Sequence, residues 1–445
     1  MSPTSYLLHT VLSQSPPCPT LSFIPEPAES CKVMSPYIPP EITDAIISAV
    51  DVDLYNTGER TLTMCALVCR AWLPRSRTKL FEAIYIRNQR SYDLLVERFV
   101  RSETMSHYLT SVNSFYIQPF GVDSPSSVAR LFLIEFAGKL PGLRVWDVGG
   151  IDWTHQRPSV KWPLLLSHFR TITYLRLWEC RFSSFSDFRR LLTALPLLST
   201  LNILHVTWPA VSPELHLRTT PGPMCRTYWP ELRALLIIYD EDGWQCAETF
   251  LKWITAALRG STVKELFCGF FGLPPTGSLR ETVVAFVGRD ERSVTDLNVH
   301  ITDGLPLTGF IALESLSLNL DRYQDDWKSV ASVLQDVTSK TIQSITFSLV
   351  PTVRVVNNDT NFLHFDHDTL QELDRVLSRE PFSNLREVIF EVEGIRKSFS
   401  AHMLGDTCPS YMNGRSSGWI FGDDCNVWKS TERTRSVWPG DEYSS

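Results

Sequence analysis

Ile172-Thr173-Tyr174-Leu175-Arg176-Leu177 carries a pattern that organises most of the chain: apolar residues at the first, fourth and sixth positions. On an extended segment the last two lie two apart and point to the same side. The first turns in from the preceding bend. The pattern recurs upstream at Val112/Phe115/Ile117 and Leu143/Trp146/Val148, and directly downstream at Leu198/Leu201/Ile203. It continues at Leu232/Leu235/Ile237, Val263/Leu266/Cys268 and Val294/Leu297/Val299, and ends with Leu313/Leu316/Leu318, Ile342/Ile345/Phe347 and Leu385/Val388/Phe390.

Between these short strands lie stripes with helical spacing. Phe185, Phe188, Leu191, Leu192 and Leu195 form one, and Phe250, Ile254, Ala257 and Leu258 another. Val330, Val333, Leu334 and Val337 form a third, and Leu370, Leu373 and Leu377 a fourth. Strand and helix alternating at a period of about 30 residues predict a stacked α/β solenoid with a parallel sheet. The same triplet also fits a doubly wound α/β domain. The region 88–395 resembles the irregular leucine-rich-repeat regions found behind fungal F-boxes. The Asn or Cys of that family, three residues past the last apolar position, appears only as Cys180. The resemblance implies a concave face that binds a protein. Tyr174, Arg176, Asn202, Asn298, Ser317 and Thr346 are its expected solvent-facing positions.

Upstream, the periodicity is helical. Pro39 and Pro40 suit a first helical turn, where a missing N–H costs nothing. Ile42, Ala45, Ile46 and Ala49 follow on one face. Asp51–Glu59 reads as a polar loop, and Leu62, Cys65, Ala66 and Cys69 as a second helical face. Trp72 and Leu73 lead to Pro74 and a third helix over 75–81, and 83–86 alternates as a short strand does. Three short helices form a poor core by themselves. They either cap the next domain or present an apolar face to a partner.

Ile38-Pro39-Pro40-Glu41-Ile42, then Val68-Cys69-Arg70-Ala71-Trp72, then Leu80-Phe81 resemble the F-box family, with Ile38 in place of its Leu. The resemblance spans about 37–87. It implies helices that bind a Skp-family adaptor and, through it, a cullin–RING ubiquitin ligase of the SCF type. Carried over residue by residue, Ile38, Pro39, Glu41, Ile42 and Ile46 would form one part of the contact. Leu62, Cys65, Val68, Cys69 and Trp72 would form the other. The repeats would then hold a protein substrate for degradation. The alternative is a repeat-based scaffold without ubiquitin ligation.

Elsewhere the sequence excludes more than it offers. Its 445 residues carry a formal charge of −7 with 43% hydrophobic residues, which is globular usage rather than disorder. The acidity argues against a nucleic-acid binder. No apolar run has the roughly 18 residues of a membrane span. Ten cysteines without a C-x-x-C read as reduced thiols of the cytoplasm or nucleus. Phosphate-loop, dinucleotide, zinc-protease and nucleophile-elbow motifs are absent, so no catalytic role, cofactor or metal is expected. Two small groups read as solvated: His364, Asp366, His367 and Asp368 as a turn or helix cap, and Arg70, Arg75, Arg77 and Lys79 as a helix face. Asp240-Glu241-Asp242-Gly243 reads as a turn that ends a strand. The proline- and serine-rich residues 1–36 read as a disordered arm, and 396–445 as a loosely ordered tail.

Overall fold

The computed structural model describes residues 38–50, 57–118, 126–154, 162–209, 232–257, 263–270, 277–290, 293–301, 307–320, 326–349, 367–392 and 395–400. The expected arm 1–36, the tail beyond 400, and His364 and Asp366 lie outside them.

Among the described residues, twelve strands make one sheet in chain order. They are β1 Ala83–Ile86, β2 Ser114–Ile117, β3 Val145–Gly149, β4 Tyr174–Trp178, β5 Thr200–Leu204 and β6 Ala234–Tyr239. Then come β7 Glu265–Phe270, β8 Asp296–His300, β9 Ser315–Leu320, β10 Ser344–Leu349, β11 Glu387–Val392 and β12 Ile395–Ser400. Every pair from β1 to β11 is parallel. Parallel neighbours need a crossover. Helices supply most of these: α4 Gln89–Leu95, α5 Ser126–Phe136, α6 Trp162–Leu166, α7 Phe185–Thr193, α8 Trp244–Ala257, α9 Ser278–Asp290, α10 Asp326–Gln335 and α11 His367–Leu377. Strict sequential order makes the array a solenoid, since a doubly wound sheet reverses its order at a switch point.

The ten triplets coincide with β2 to β11 and the bends before them. All of their residues from Val112 to Phe347 are buried. Phe115, Trp146, Leu175, Leu201 and Leu235 fall on one register line and face the helices. The ring of Phe132 on α5 lies 4.5 Å from Phe115, 5.5 Å from Trp146 and 5.3 Å from Phe169. Phe188 on α7 lies 5.4 Å from Trp208 and 5.7 Å from Phe250 on α8. Helices pack about 8–10 Å apart, whereas strands sit about 4.8 Å apart.

Three consecutive repeats share a device that the triplets do not reveal. Gly150, Glu179 and His205 follow β3, β4 and β5 with φ of 58°, 51° and 49°. A left-handed non-glycine costs about 1–2 kcal/mol. Their N–H groups donate to Trp178 O, Leu204 O and Ile238 O at 2.9, 2.8 and 2.9 Å, which offsets part of that cost. The chain then makes a second small parallel ladder, Asp152–Arg181–Thr207. It buries Ile151 and Trp153, Cys180 and Phe182, Val206 and Trp208. Cys180 donates from Sγ to Val148 O at 3.4 Å, and burial pushes its thiol up to about 12.

Two expectations are corrected, and a third is met. The tail read from 396 begins inside β12, which pairs antiparallel with β11. Its hairpin connection has no helix, so the period vanishes while the sheet continues. The loop read over 51–59 ends sooner, because α2 spans Thr57–Val68 and takes Gly58 and Glu59 into its first turn. The Asp240–Gly243 turn does end β6, as a single 3-10 turn, Glu241–Gly243. Asp240 caps it by accepting from Gly243 N at 3.2 Å, and the turn runs directly into α8.

Candidate functional site

Two surfaces stand out. The first belongs to the N-terminal helices, α1 Pro40–Ser48, α2 and α3 Leu73–Leu80. They buried only a narrow set of side chains: Thr43, Ile47, Leu62 and Ser76. Arg75 on α3 donates from Nη2 to Ser48 Oγ of α1 at 2.7 Å, and Lys79 pairs with Glu82 at 2.9 Å. Two members of the expected basic stripe thus hold the unit together. Phe81, at the end of α3, packs 4.5 Å from Phe99 and 5.4 Å from Tyr108. β1 follows directly, so the helices abut the first repeat of the same sheet.

The opposite side is apolar and open. Ile42 is 53% exposed, Ile46 48% and Val68 63%. Ile38 belongs to the same exposed set, as do Pro39, Glu41 and Cys69, while Cys65 and Trp72 are half-buried. Leu62 is the correction among the expected contact residues: it is fully buried in the chain's own packing. It lies on the side of α2 that the unit keeps for itself. Met64 and Leu67 lie outside the expected contact set and are exposed. The helical spacing of Leu62, Cys65 and Cys69 pointed to a slightly rotated face.

The second surface is the open face of the sheet, opposite the helices. One register line across it runs Tyr85, Tyr116, Asp147, Arg176, Asn202, Leu236, Phe267, Asn298, Ser317, Thr346 and Ile389. Five expected face residues fall on this line, and Tyr174 lies on the neighbouring one. The face is right, but the exposure is not: Asn202, Ser317 and Thr346 are buried. Short side chains on strands about 4.8 Å apart are shielded by larger neighbours.

The first four strands concentrate the chemistry. Tyr85 and Tyr116 stack with centroids 4.4 Å apart and planes 6° apart. Tyr174 Oη accepts from Asn202 Nδ2 at 2.6 Å. Asp147 is buried beside them. Its Oδ2 meets Arg176 Nη1 at 3.6 Å and Gln118 Nε2 at 3.4 Å, both long for charge-assisted contacts. Its Oδ1 is buried and has no donor in good hydrogen-bond geometry, although the Trp178 indole N–H favours the charged carboxylate. Burial pushes the carboxyl up to about 6 against the pull of Arg176, Gln118 and Trp178. Next to it, a Cβ on Gly149 would collide with the Trp178 indole, which lies directly on the glycine. Only a residue without a side chain admits that approach.

Tyr85, Tyr116, Asp147 and Trp178 were missed as face residues. Each occupies an outward strand position, between or just after two inward ones, which alternation alone identifies. Among the described residues, no group of three or more His, Cys, Asp or Glu is placed to hold a metal. No helix among them is long and apolar enough to cross a membrane.

No protein-family model and no curated protein matches the chain. Solved structures do: one is internalin C2 of Listeria monocytogenes, 10% identical, covering 67% of this chain and 91% of that chain with a TM-score of 0.25. A likeness at that score carries no argument, and the α/β repeat fold rests on the chain's own sheet.

Proposed function

We propose that the chain is the substrate-recognition subunit of a cullin–RING ubiquitin ligase. The N-terminal helices would hold a Skp-family adaptor, and a leucine-rich-repeat-like array would hold the protein to be modified. One observation carries the reading. Ile38, Ile42, Ile46, Met64, Leu67 and Val68 stay exposed on a small unit that also bears the F-box-like blocks. Large exposed apolar patches on otherwise well-packed chains mark interaction sites. The array also exposes Leu94, Ile134, Leu164, Leu197 and Ile311, but these are scattered along the chain, whereas the six of the helical unit fall within residues 38–68. The ligation chemistry would reside in other subunits, and this chain would act by proximity, raising the local concentration of its target.

Co-expression with a Skp-family adaptor tests the reading. A stable one-to-one complex on size-exclusion chromatography supports it. The reading fails if the chain elutes alone while soluble and folded. A second reading, a protein-binding scaffold without ligation, has support from the open face, whose aromatic and charged cluster does not depend on the helices. A complex with the adaptor that never recruits a cullin favours it.

A further inference from the structure

Ser48 is the last residue of α1, and its hydroxyl sits between two helices. It donates to Asp44 O of its own helix at 2.6 Å and accepts from Arg75 Nη2 of α3 at 2.7 Å. α1 rests on α3, and this contact joins the two by side chains. The guanidinium is a planar fork with fixed donor directions. Its Nε–H and the Nη2 hydrogen beside it point the same way, and such a pair matches two oxygens of one acid group. Ser48 offers a single oxygen. Arg75 Nε is buried and has no acceptor. Buried donors are nearly always paired, so one left over beside a hydroxyl calls for a reason.

The sequence adds an independent mark. Asp51 and Asp53 follow Ser48 by three and five residues. Kinases select substrates by charge pattern, and carboxylates just after a serine suit an enzyme with a basic substrate groove. Ser48 is half-buried and Ala49 is exposed. Helix ends fray, so an enzyme needs to open only the last turn of α1 to reach the hydroxyl. Helical spacing places Ser48 with Asp44, on a different flank from Ile42 and Ile46. The hydroxyl therefore lies outside the exposed apolar set.

We propose that Ser48 is a phosphorylation site whose phosphate is held by the paired donors of Arg75, locking α1 to α3. The donor is ATP, and the enzyme is a serine kinase that reads acidic residues. Ser48 Oγ forms a bond to the γ-phosphorus, and the bond from that phosphorus to the β–γ bridging oxygen breaks. ADP leaves, and the hydroxyl proton passes to the base of the kinase. The product carries about −1.5 to −2 charges at neutral pH. Its oxygens accept from both Nη2 and Nε of Arg75 in charge-assisted bonds. Two effects oppose this: the bond to Asp44 O is lost with the hydroxyl hydrogen, and the C-terminal end of α1 disfavours negative charge. Each is weaker than a pair of hydrogen bonds between charged groups, so the helices tighten. α1 carries Ile42 and Ile46, so the phosphate fixes that part of the apolar face against α3. The proposal does not depend on what covers the face.

The test uses the full-length chain. It is incubated with ATP, magnesium and an acidophilic serine kinase, and modified sites are located by mass spectrometry, with Ser48→Ala as the comparison. In parallel, phosphoserine is built in at position 48 during translation, and hydrogen exchange is followed across the chain. The kinase should modify Ser48. The phosphate should slow exchange of the α1 amides about fivefold or more, with the amides of β4 to β9 unchanged. In Arg75→Gln the phosphate should slow nothing. Arg75→Lys keeps the charge but not the parallel donors, and should keep about half of the slowing or less. Each variant is compared with its own unphosphorylated form, so any loosening by the substitution itself cancels. A kinase that leaves Ser48 unmodified overturns the proposal. So does a phosphate that slows exchange equally in the native chain and Arg75→Gln, or in neither. Adaptor binding is not read here, so this proposal and the reading of the helices fail independently.

Discussion

The repeat array and the N-terminal helices use the same apolar residue types at regular spacings, with opposite outcomes. In the array, Leu175, Leu201 and Leu235 face helices and are buried. In the helical unit, Ile42 and Ile46 sit one turn apart on α1 and are about half exposed. The difference lies in the neighbours. Each repeat stacks on the next, so its inward face always meets another. Among the described residues, the helical unit meets the rest of the chain on one side, through Phe81, Phe99 and Tyr108. Periodicity tells which residues share a face. It does not tell whether the chain itself supplies what covers that face.

Substitutions can widen or close that contrast. The largest expected effect is in the array: Phe188→Ala removes a fully buried ring between Trp208 and Phe250 and should cost about 3–5 kcal/mol in chemical denaturation. Ile42→Ala, at an exposed site, should stay within about 0.5 kcal/mol. A loss at Ile42 as large as at Phe188 would show that the face is internal.

Gly149→Ala comes next. The added methyl meets Trp178 at a separation no packing accommodates, so the indole must move. A cost of about 1–3 kcal/mol is expected, with a shift in tryptophan fluorescence. An unchanged spectrum and stability would contradict the placement of the ring.

Asp147→Asn should have a smaller effect, with a sign set by pH. The carboxyl's folded value, about 6, stands above its ordinary value. A raised value means that protonation favours the fold: the native side chain contributes nothing adverse below its unfolded value and costs stability above about 6. The variant should therefore be the more stable one at pH 8, and its advantage should fade as pH drops through 6 toward 4. Thermal midpoints of both proteins across that range check this.

Much of this architecture was legible beforehand. The triplets located β2 to β11 because two inward residues per strand recur with a fixed bend residue, and the stripes around Phe188, Phe250 and Leu334 located their helices. The left-handed residues after β3 to β5 were not legible, because Glu179 and His205 are not glycines and nothing local marks them. β12 was hidden because an antiparallel hairpin breaks the period. The open-face cluster was legible only in part: Arg176 and Asn202 were found inside the repeat, but Asp147 and Trp178 matter through what lies across the strands from them. On α2, the partition between inside and outside turned on Leu62, and spacing cannot rotate a helix relative to a neighbour it does not see.

The most direct test is co-expression of the full-length chain with a Skp-family adaptor, comparing the native sequence with the double variant Ile42→Asp, Val68→Asp. Charging two exposed anchors of a central apolar contact should weaken binding by about 2–4 kcal/mol or more. The native chain should co-elute with the adaptor, and the variant should elute alone with its thermal midpoint unchanged. Retained co-elution of the variant, or a native chain that ignores the adaptor, would contradict the assignment of this face.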